Sequence, residues 1–385
     1  MAPPAAADRD LRLDLFRGLA LWLIFVDHIP SNAVNWLTIR NFGFSDAAEV
    51  FVFISGYTAA FVYIRALREH GPIVAGARIL KRAWQVYVAH IFLLVIFMAQ
   101  IAYVMMSFQN QLYAEEMNAF DFMQEPGITL LQALLLKFKP VYMDILPMYV
   151  VLLIGLAIIL WPLDRFPHLV LGASILLYIL TWRFGWNLPS YPSGHWFFNP
   201  LAWQLLFVFA AWCALGDENR LGWILRSNLL LGLAVAFLVL AFATTLTWYV
   251  PGWTRFMPDA VARVIYPIDK TSLHLLRFVH FLALALVTVR LVPRDWPGLR
   301  RPVFRPAILC GQHSLEIFCV GVFLSFTGHT ILVEVSPRLW MQVLVSVAGI
   351  AIMVAIASVM QWYNRIEKRR PGPRPPNPGL AGGEA

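Results

Sequence analysis

The sequence predicts an all-α, polytopic membrane protein of about ten transmembrane helices. Three observations carry that prediction. Of 385 residues, 59% are hydrophobic and 14% charged, with a mean hydropathy of +0.66, which is too apolar for a chain whose surface must face water on all sides. Apolar runs close to the roughly 20 residues needed to cross a bilayer recur along the chain. The sequence holds no Gly-x-x-x-x-Gly-Lys, Gly-x-Gly-x-x-Gly, His-Glu-x-x-His or Gly-x-Ser-x-Gly element, so nucleotide hydrolysis and zinc catalysis are set aside.

Reading apolar runs bounded by charges, prolines and glycines places spans at 13–30, 46–64, 83–106, 143–162, 166–183, 200–216, 228–249, 271–289, 307–329 and 339–362. The segment Met1 to Asp14 carries acidic as well as basic residues, and Asp27 and His28 interrupt the first apolar run without a small-residue cleavage site. The first span is therefore read as a retained helix, not a signal peptide. With the N-terminus inside, 21 of the 30 Lys and Arg residues fall in cytoplasmic segments, which predicts that both termini are cytoplasmic. The net charge of +8 sits in short clusters between apolar runs, the arrangement that orients helices in a bilayer, and no nucleic-acid partner is expected. The long loop 107–142 contains an acidic stretch and then an amphipathic run, Ile128 to Phe138, read as an external helix on the membrane surface. Residues 1–370 form one integral membrane domain, and 371–385, rich in proline and glycine, a disordered cytoplasmic tail. The absence of an internal repeat argues against the duplicated architecture of many transporters.

An ionisable group at bilayer depth costs roughly 2.5–3.5 kcal/mol even on lenient scales, so each one needs a reason. In the first span Arg17 and His28 are separated by ten residues. Eleven helical steps of about 100° return to nearly the same azimuth, with a rise of roughly 16 Å. One face thus carries a cation near one boundary and an imidazole much deeper. Histidine suits proton transfer near neutrality, which makes His28 a candidate general base. Asp27 adjoins it but points about 100° away, so Glu49 of the second span is a further candidate to orient the ring. Asp27 and His28, with Pro30 beyond, also suit a plain helix end. Ser45 or Asp46 can cap the second helix.

Lys270, His274 and Arg277 repeat at four and three, as one helical stripe with His280 a turn deeper. The stripe suits either a snorkelling interfacial face or a site for an anionic group. His313 and Glu316 lie one turn apart in span nine, as a polar clamp or as functional groups. His90 reads as a satisfied core histidine. Cys213, Cys310 and Cys319 lie in apolar runs without metal-ligand spacing, and no metal or bound cofactor is expected. Trp182, Trp186, Tyr191, Trp196 and Trp203, with Trp248, Tyr249 and Trp253, cluster near one boundary as an aromatic belt, although aromatic faces also stack on sugars.

Arg17-x10-His28 in a first span, with a basic cluster before the third, resembles the acyltransferase-3 superfamily of membrane O-acyltransferases. More narrowly, Arg12-Leu-Asp-Leu-Phe-Arg-Gly, Asp27-His-Ile-Pro-Ser-Asn, Thr38 to Tyr57, Asp269-Lys-Thr and Gly311-Gln-His-Ser-Leu-Glu-Ile-Phe resemble the OpgC family, associated with succinylation of osmoregulated periplasmic glucans. The likeness runs through all the spans and is densest over 9–60 and 266–325. The superfamily's Arg-x-x-Arg near the third span reads here as Arg78-Ile-Leu-Lys81-Arg82, leaving open which cation takes the second place. The resemblance implies an acyltransferase-3-like fold in a bacterial inner membrane, with acyl-CoA, succinyl-CoA above all, as cytoplasmic co-substrate and a periplasmic glucan as acceptor. It also implies the company of glucan-biosynthesis proteins.

In that scheme His28 takes the proton from a glucan hydroxyl, with Asp27 or Glu49 orienting the ring. Arg17, Arg78, Lys81 and Arg82 hold donor phosphates. Arg40, Lys270 and Arg277 receive the distal carboxylate of a succinyl group, and His274, His280, His313 and Glu316 complete the acyl or acceptor region. An acyl-enzyme on His28 or Ser55 is left open, and the scheme needs an internal passage from Arg17 to His28. A transporter or flippase for a glycan or small anion is the alternative class, since the same buried charges also suit a pathway.

Overall fold

The computed structural model describes residues 10–369, apart from positions 217, 251 and 258. The expected tail, 371–385, lies outside the described residues. Within them the chain is helical, and only an isolated bridge joins Pro189 to His195.

Helix α1 (Leu11–Asp27) starts at Asp10, whose side chain accepts from the Arg12 N–H, and ends at His28. Helix α2 (Ala47–Phe108) runs for 62 residues and carries both the second and third expected spans. The two halves meet at Gly71, φ 82°, where glycine takes the left-handed backbone that other residues avoid and Pro72 withholds its N–H donor. The basic segment Arg65 to Arg82 is therefore two helical stretches broken at Gly71. Short helices α3 (Leu112–Glu116), α4 (Phe120–Gln124) and α5 (Pro126–Leu134) follow. The expected surface helix is α5, shorter than its amphipathic run and exposing Ile128, Leu131 and Leu134.

Then come α6 (Ile145–Arg165), α7 (Pro167–Phe184), α8 (Pro200–Ala214), α9 (Glu218–Arg226), α10 (Asn228–Tyr249) and α11 (Asp259–Ile265). The last four are α12 (Leu275–Leu291), α13 (Arg305–Gln312), α14 (Ser314–Glu334) and α15 (Leu339–Arg369). Span nine is thus two helices, broken at His313, whose φ of −114° and ψ of 42° leave the helical region.

Six of these helices, α2, α6, α7, α10, α14 and α15, are long and apolar enough to cross a membrane. Helix α8 is apolar but has 15 residues, and α1 and α12 have 17 each. Outward-facing Leu233 and Val239 on α10 and Leu344 and Val347 on α15 form the kind of apolar surface that lipid covers and water does not.

A close approach of α1 and α13 helps set the interior. A Cβ at Gly18 of α1 would lie 1.8 Å from the Ala307 carbonyl oxygen of α13, and one at Gly311 would lie 1.9 Å from that of Asp14. Small residues let membrane helices approach to backbone contact in this way. Trp203 on α8 is fully buried, and its indole N–H lies 3.1 Å from the carbonyls of both Lys270 and Thr271, which pins the loop ahead of α12. Trp196 is also buried. These two tryptophans are core residues and not part of a belt, whereas Trp182, Trp186, Trp248 and Trp253 stay exposed.

Candidate active site

Polar groups gather at both ends of α1. At the Arg17 end, Arg17 and Arg82 line one cavity of about 160 Å³, together with Ser55, Thr58, Tyr149 and Ser314. Arg17 Nη2 donates to Thr58 Oγ1 at 2.8 Å and lies 3.3 Å from the Ile54 carbonyl. Arg78 and Lys81 are exposed and absent from that lining. Of the basic cluster before the third span, Arg82 is the member that joins Arg17. The lining extends to Phe51 and Leu146 and does not include His28, so this cavity does not by itself form the expected passage from Arg17 to His28.

At the other end His28 caps α1, its backbone N–H donating to Ile24 O at 3.0 Å. Its ring stacks on Tyr142, with centroids 4.4 Å apart and planes at 25°. His28 Nδ1 is buried and has no hydrogen-bond partner. Asp27 Oδ1 lies 2.7 Å from the Thr38 hydroxyl and 3.9 Å from Arg40 Nη1. Its carboxylate thereby anchors the two 3-10 turns at 33–41. Asn41 holds the same segment, donating to Asn35 O at 2.6 Å and accepting from the Tyr249 hydroxyl at 2.8 Å.

Beside this lies an ion-pair cluster. Asp46 caps α2 by accepting from the Ala48 N–H at 2.8 Å, and Glu49 Oε2 accepts from the Asp46 N–H at 2.9 Å. The two carboxylates form a capping box. They also meet cations from the α12 end of the chain. Lys270 Nζ is 2.6 Å from Asp46 Oδ2, Arg277 Nη2 is 3.1 Å from the same oxygen, and Arg277 Nε donates to Glu49 Oε1 at 2.7 Å. His28 lies within electrostatic reach of Lys270, Asp46 and Arg40.

Several expectations need correction. Glu49 does not orient the His28 ring, because Arg277 and the Asp46 N–H occupy its two oxygens. Lys270 and His274 do not extend a helical stripe, because α12 begins at Leu275. Lys270 reaches the cluster from the preceding loop. His274 caps α12, its Nδ1 accepting from the Leu276 N–H at 3.3 Å, with its ring edge-on to Trp182. His280 does face the 38–57 stretch, its Nδ1 being 2.7 Å from Ser45 Oγ. His313 and Glu316 do not form a clamp, since the break at His313 ends the helical spacing, Glu316 is exposed, and His313 Nε2 has no partner. His90 is fully buried, but neither ring nitrogen has a partner, so it is not a satisfied core residue.

Residue chemistry alone does not point to Tyr142, Thr38, Thr58 or Tyr149. Tyr142 and Tyr149 carry no spacing signal, whereas Thr38 and Thr58 stand inside or beside the Thr38 to Tyr57 stretch already marked as informative.

The fold and these sites define an all-helical protein with membrane-length apolar helices and ionisable groups gathered between them. The model of the family described as OpgC protein matches residues 9–365, and the chain belongs to that family. Membership gives it a role in modifying osmoregulated periplasmic glucans, as a transferase acting on glucan. No curated protein and no solved structure gives a match.

Proposed function

We propose that this protein moves an acyl group, succinyl above all, from cytoplasmic acyl-CoA to hydroxyls of a periplasmic glucan across a bacterial inner membrane, with both termini cytoplasmic. The observation that supports this most is the convergence of Arg17 of α1 and Arg82 of α2 on one cavity, while the C-terminal end of α1 presents His28 with an unpartnered Nδ1. Guanidinium groups match the charge and geometry of donor phosphates. An imidazole nitrogen not already hydrogen-bonded is free to accept a proton.

His28 takes the hydroxyl proton, the glucan oxygen attacks the thioester carbonyl, the C–S bond breaks, and the imidazolium returns its proton to the departing CoA thiolate. Asp27 organises the 33–41 segment around the ring, and Glu49 with Asp46 holds Arg277. Arg40 and Lys270, whose side chains are 49% and 31% exposed, receive the distal carboxylate of the succinyl group. Glucan-biosynthesis proteins are the expected neighbours in the membrane.

The test is label transfer from succinyl-CoA to glucan by membranes carrying the His28→Ala variant. Loss of transfer is expected; a wild-type rate removes His28 from the mechanism.

A further inference from the structure

We infer that Tyr142 is the positioning residue for the His28 imidazole, in place of the carboxylate that an acid–base histidine usually relies on. This rests on the general-base reading of His28 given above. No nearby carboxylate is available to the ring, since Asp27 is held by Thr38 and Arg40, Asp46 by Lys270 and Arg277, and Glu49 by Arg277. Nδ1 has no hydrogen bond to fix it. Rotation about the terminal bond of a histidine side chain is soft, so something else must set the plane. The Tyr142 ring, 4.4 Å away and within 25° of parallel, does so while leaving the edge that carries the nitrogens uncovered by the stack.

The platform itself is held firmly. Tyr142 has φ 72°, the left-handed region that large side chains avoid, and such a conformation persists only where its surroundings impose it. Here they do. The Val141 N–H donates to Met117 O at 3.1 Å and the Met143 N–H to Pro140 O at 3.2 Å. Phe138 and Met143 are fully buried on either side. Lys139 Nζ donates to Leu136 O at 3.1 Å and sits 4.1 Å from the Trp196 ring centroid, and Asn118 Nδ2 donates to Lys139 O at 3.3 Å. A residue kept in an unfavourable backbone conformation against the candidate base is better explained by what its ring does than by local folding.

The experiment uses the full-length protein in proteoliposomes with succinyl-CoA and glucan, reading kcat and the donor KM for Tyr142→Phe, Tyr142→Leu and Tyr142→Ala beside His28→Ala. Misplacing a reacting group by about 1 Å costs up to 10²-fold. Leu and Ala are therefore expected to lower kcat about tenfold or more with donor KM within about twofold, while Phe, which keeps the stacking face, stays within about twofold of wild type. In [13C]histidine-labelled protein, the upfield ring-current shift of the His28 Cε1–H signal should persist in the Phe variant and vanish in the Leu variant. Equal kcat for Leu and Phe, or an unchanged His28 signal in the Leu variant, overturns the inference alone. A wild-type rate for His28→Ala overturns the general-base reading and the inference with it.

Discussion

Arg277 Nε donates to Glu49 Oε1 at 2.7 Å, and the carboxylate has no exposure to solvent. The pair ties the first turn of α2 to the first turn of α12. It also explains why a glutamate stands where Phe51, Val52, Phe53 and Ile54 follow at once. A carboxylate at the N-terminal end of a helix is favoured by the dipole, and the guanidinium supplies the charge that makes its burial tolerable.

Removing one partner of such a pair strands the other. Glu49→Ala and Arg277→Ala should each destabilise the protein by about 3–5 kcal/mol, and the double variant should lose clearly less than the sum. Reversible SDS unfolding in mixed micelles reads the cycle. Strict additivity would show that the two groups are not energetically coupled.

At the other end of α1, donor binding should divide the basic cluster. A charge-assisted hydrogen bond contributes about 1.5–3 kcal/mol, so Arg17→Ala and Arg82→Ala should each weaken CoA binding about 10- to 100-fold. Arg78→Ala and Lys81→Ala, exposed and off the cavity lining, should change it less than about threefold. Titration calorimetry with CoA checks this, and equal losses across all four would disperse the site over the whole basic cluster.

The parts of this arrangement visible in the sequence are those with a fixed local geometry. Arg17 lies within α1 and His28 caps its C-terminal end, so spacing alone separated them along one helix, and Asp46 with Glu49 obeys the capping-box pattern. Spacings that need a continuous helix do not survive in the structure. His313 and Glu316 are three apart, but the backbone turns at His313, and Lys270 lies in a loop yet reaches Asp46 all the same. Tyr142 could not be found by pattern at all. Its place beside His28 depends on a left-handed backbone in a loop far away in the chain, and neither periodicity nor composition encodes such a contact.

Lys139 gives a pH signature outside the spans. Burial lowers its ammonium from the usual 10.5 to about 8, with the Asp144 charge opposing the shift. Because the folded value lies below the unfolded one, the unfolded chain binds more protons between those limits. The burial penalty is complete below about pH 8 and is relieved as pH rises toward 10.5. Over that window wild type should gain about 2–3 kcal/mol relative to Lys139→Met, which carries no proton. Thermal unfolding of both in one detergent, from pH 7.5 to 10, measures the difference. Parallel curves would mean that Lys139 is neutral or solvated throughout.

The seam between α1 and α13 should be the least tolerant of added bulk. A Cβ at Gly18 or Gly311 meets a carbonyl oxygen at 1.8 or 1.9 Å, and a carbonyl within a helix cannot turn aside as a side chain would. The helices must separate, at a cost of about 1–3 kcal/mol or more for each alanine. Gly172 in α7 has nothing within 4 Å of its virtual Cβ, so Gly172→Ala should be neutral or stabilising by up to about 1 kcal/mol through helix propensity. Arg17 adjoins Gly18, and Ser314 follows closely on Gly311. Separation of the seam should therefore widen the cavity lined by Arg17 and Ser314, and, on the proposed function, Gly18→Ala and Gly311→Ala should lose CoA affinity as well as stability. Matched unfolding and binding curves for the three alanine variants decide it. Gly18→Ala behaving like Gly172→Ala would show that α1 and α13 are not in backbone contact.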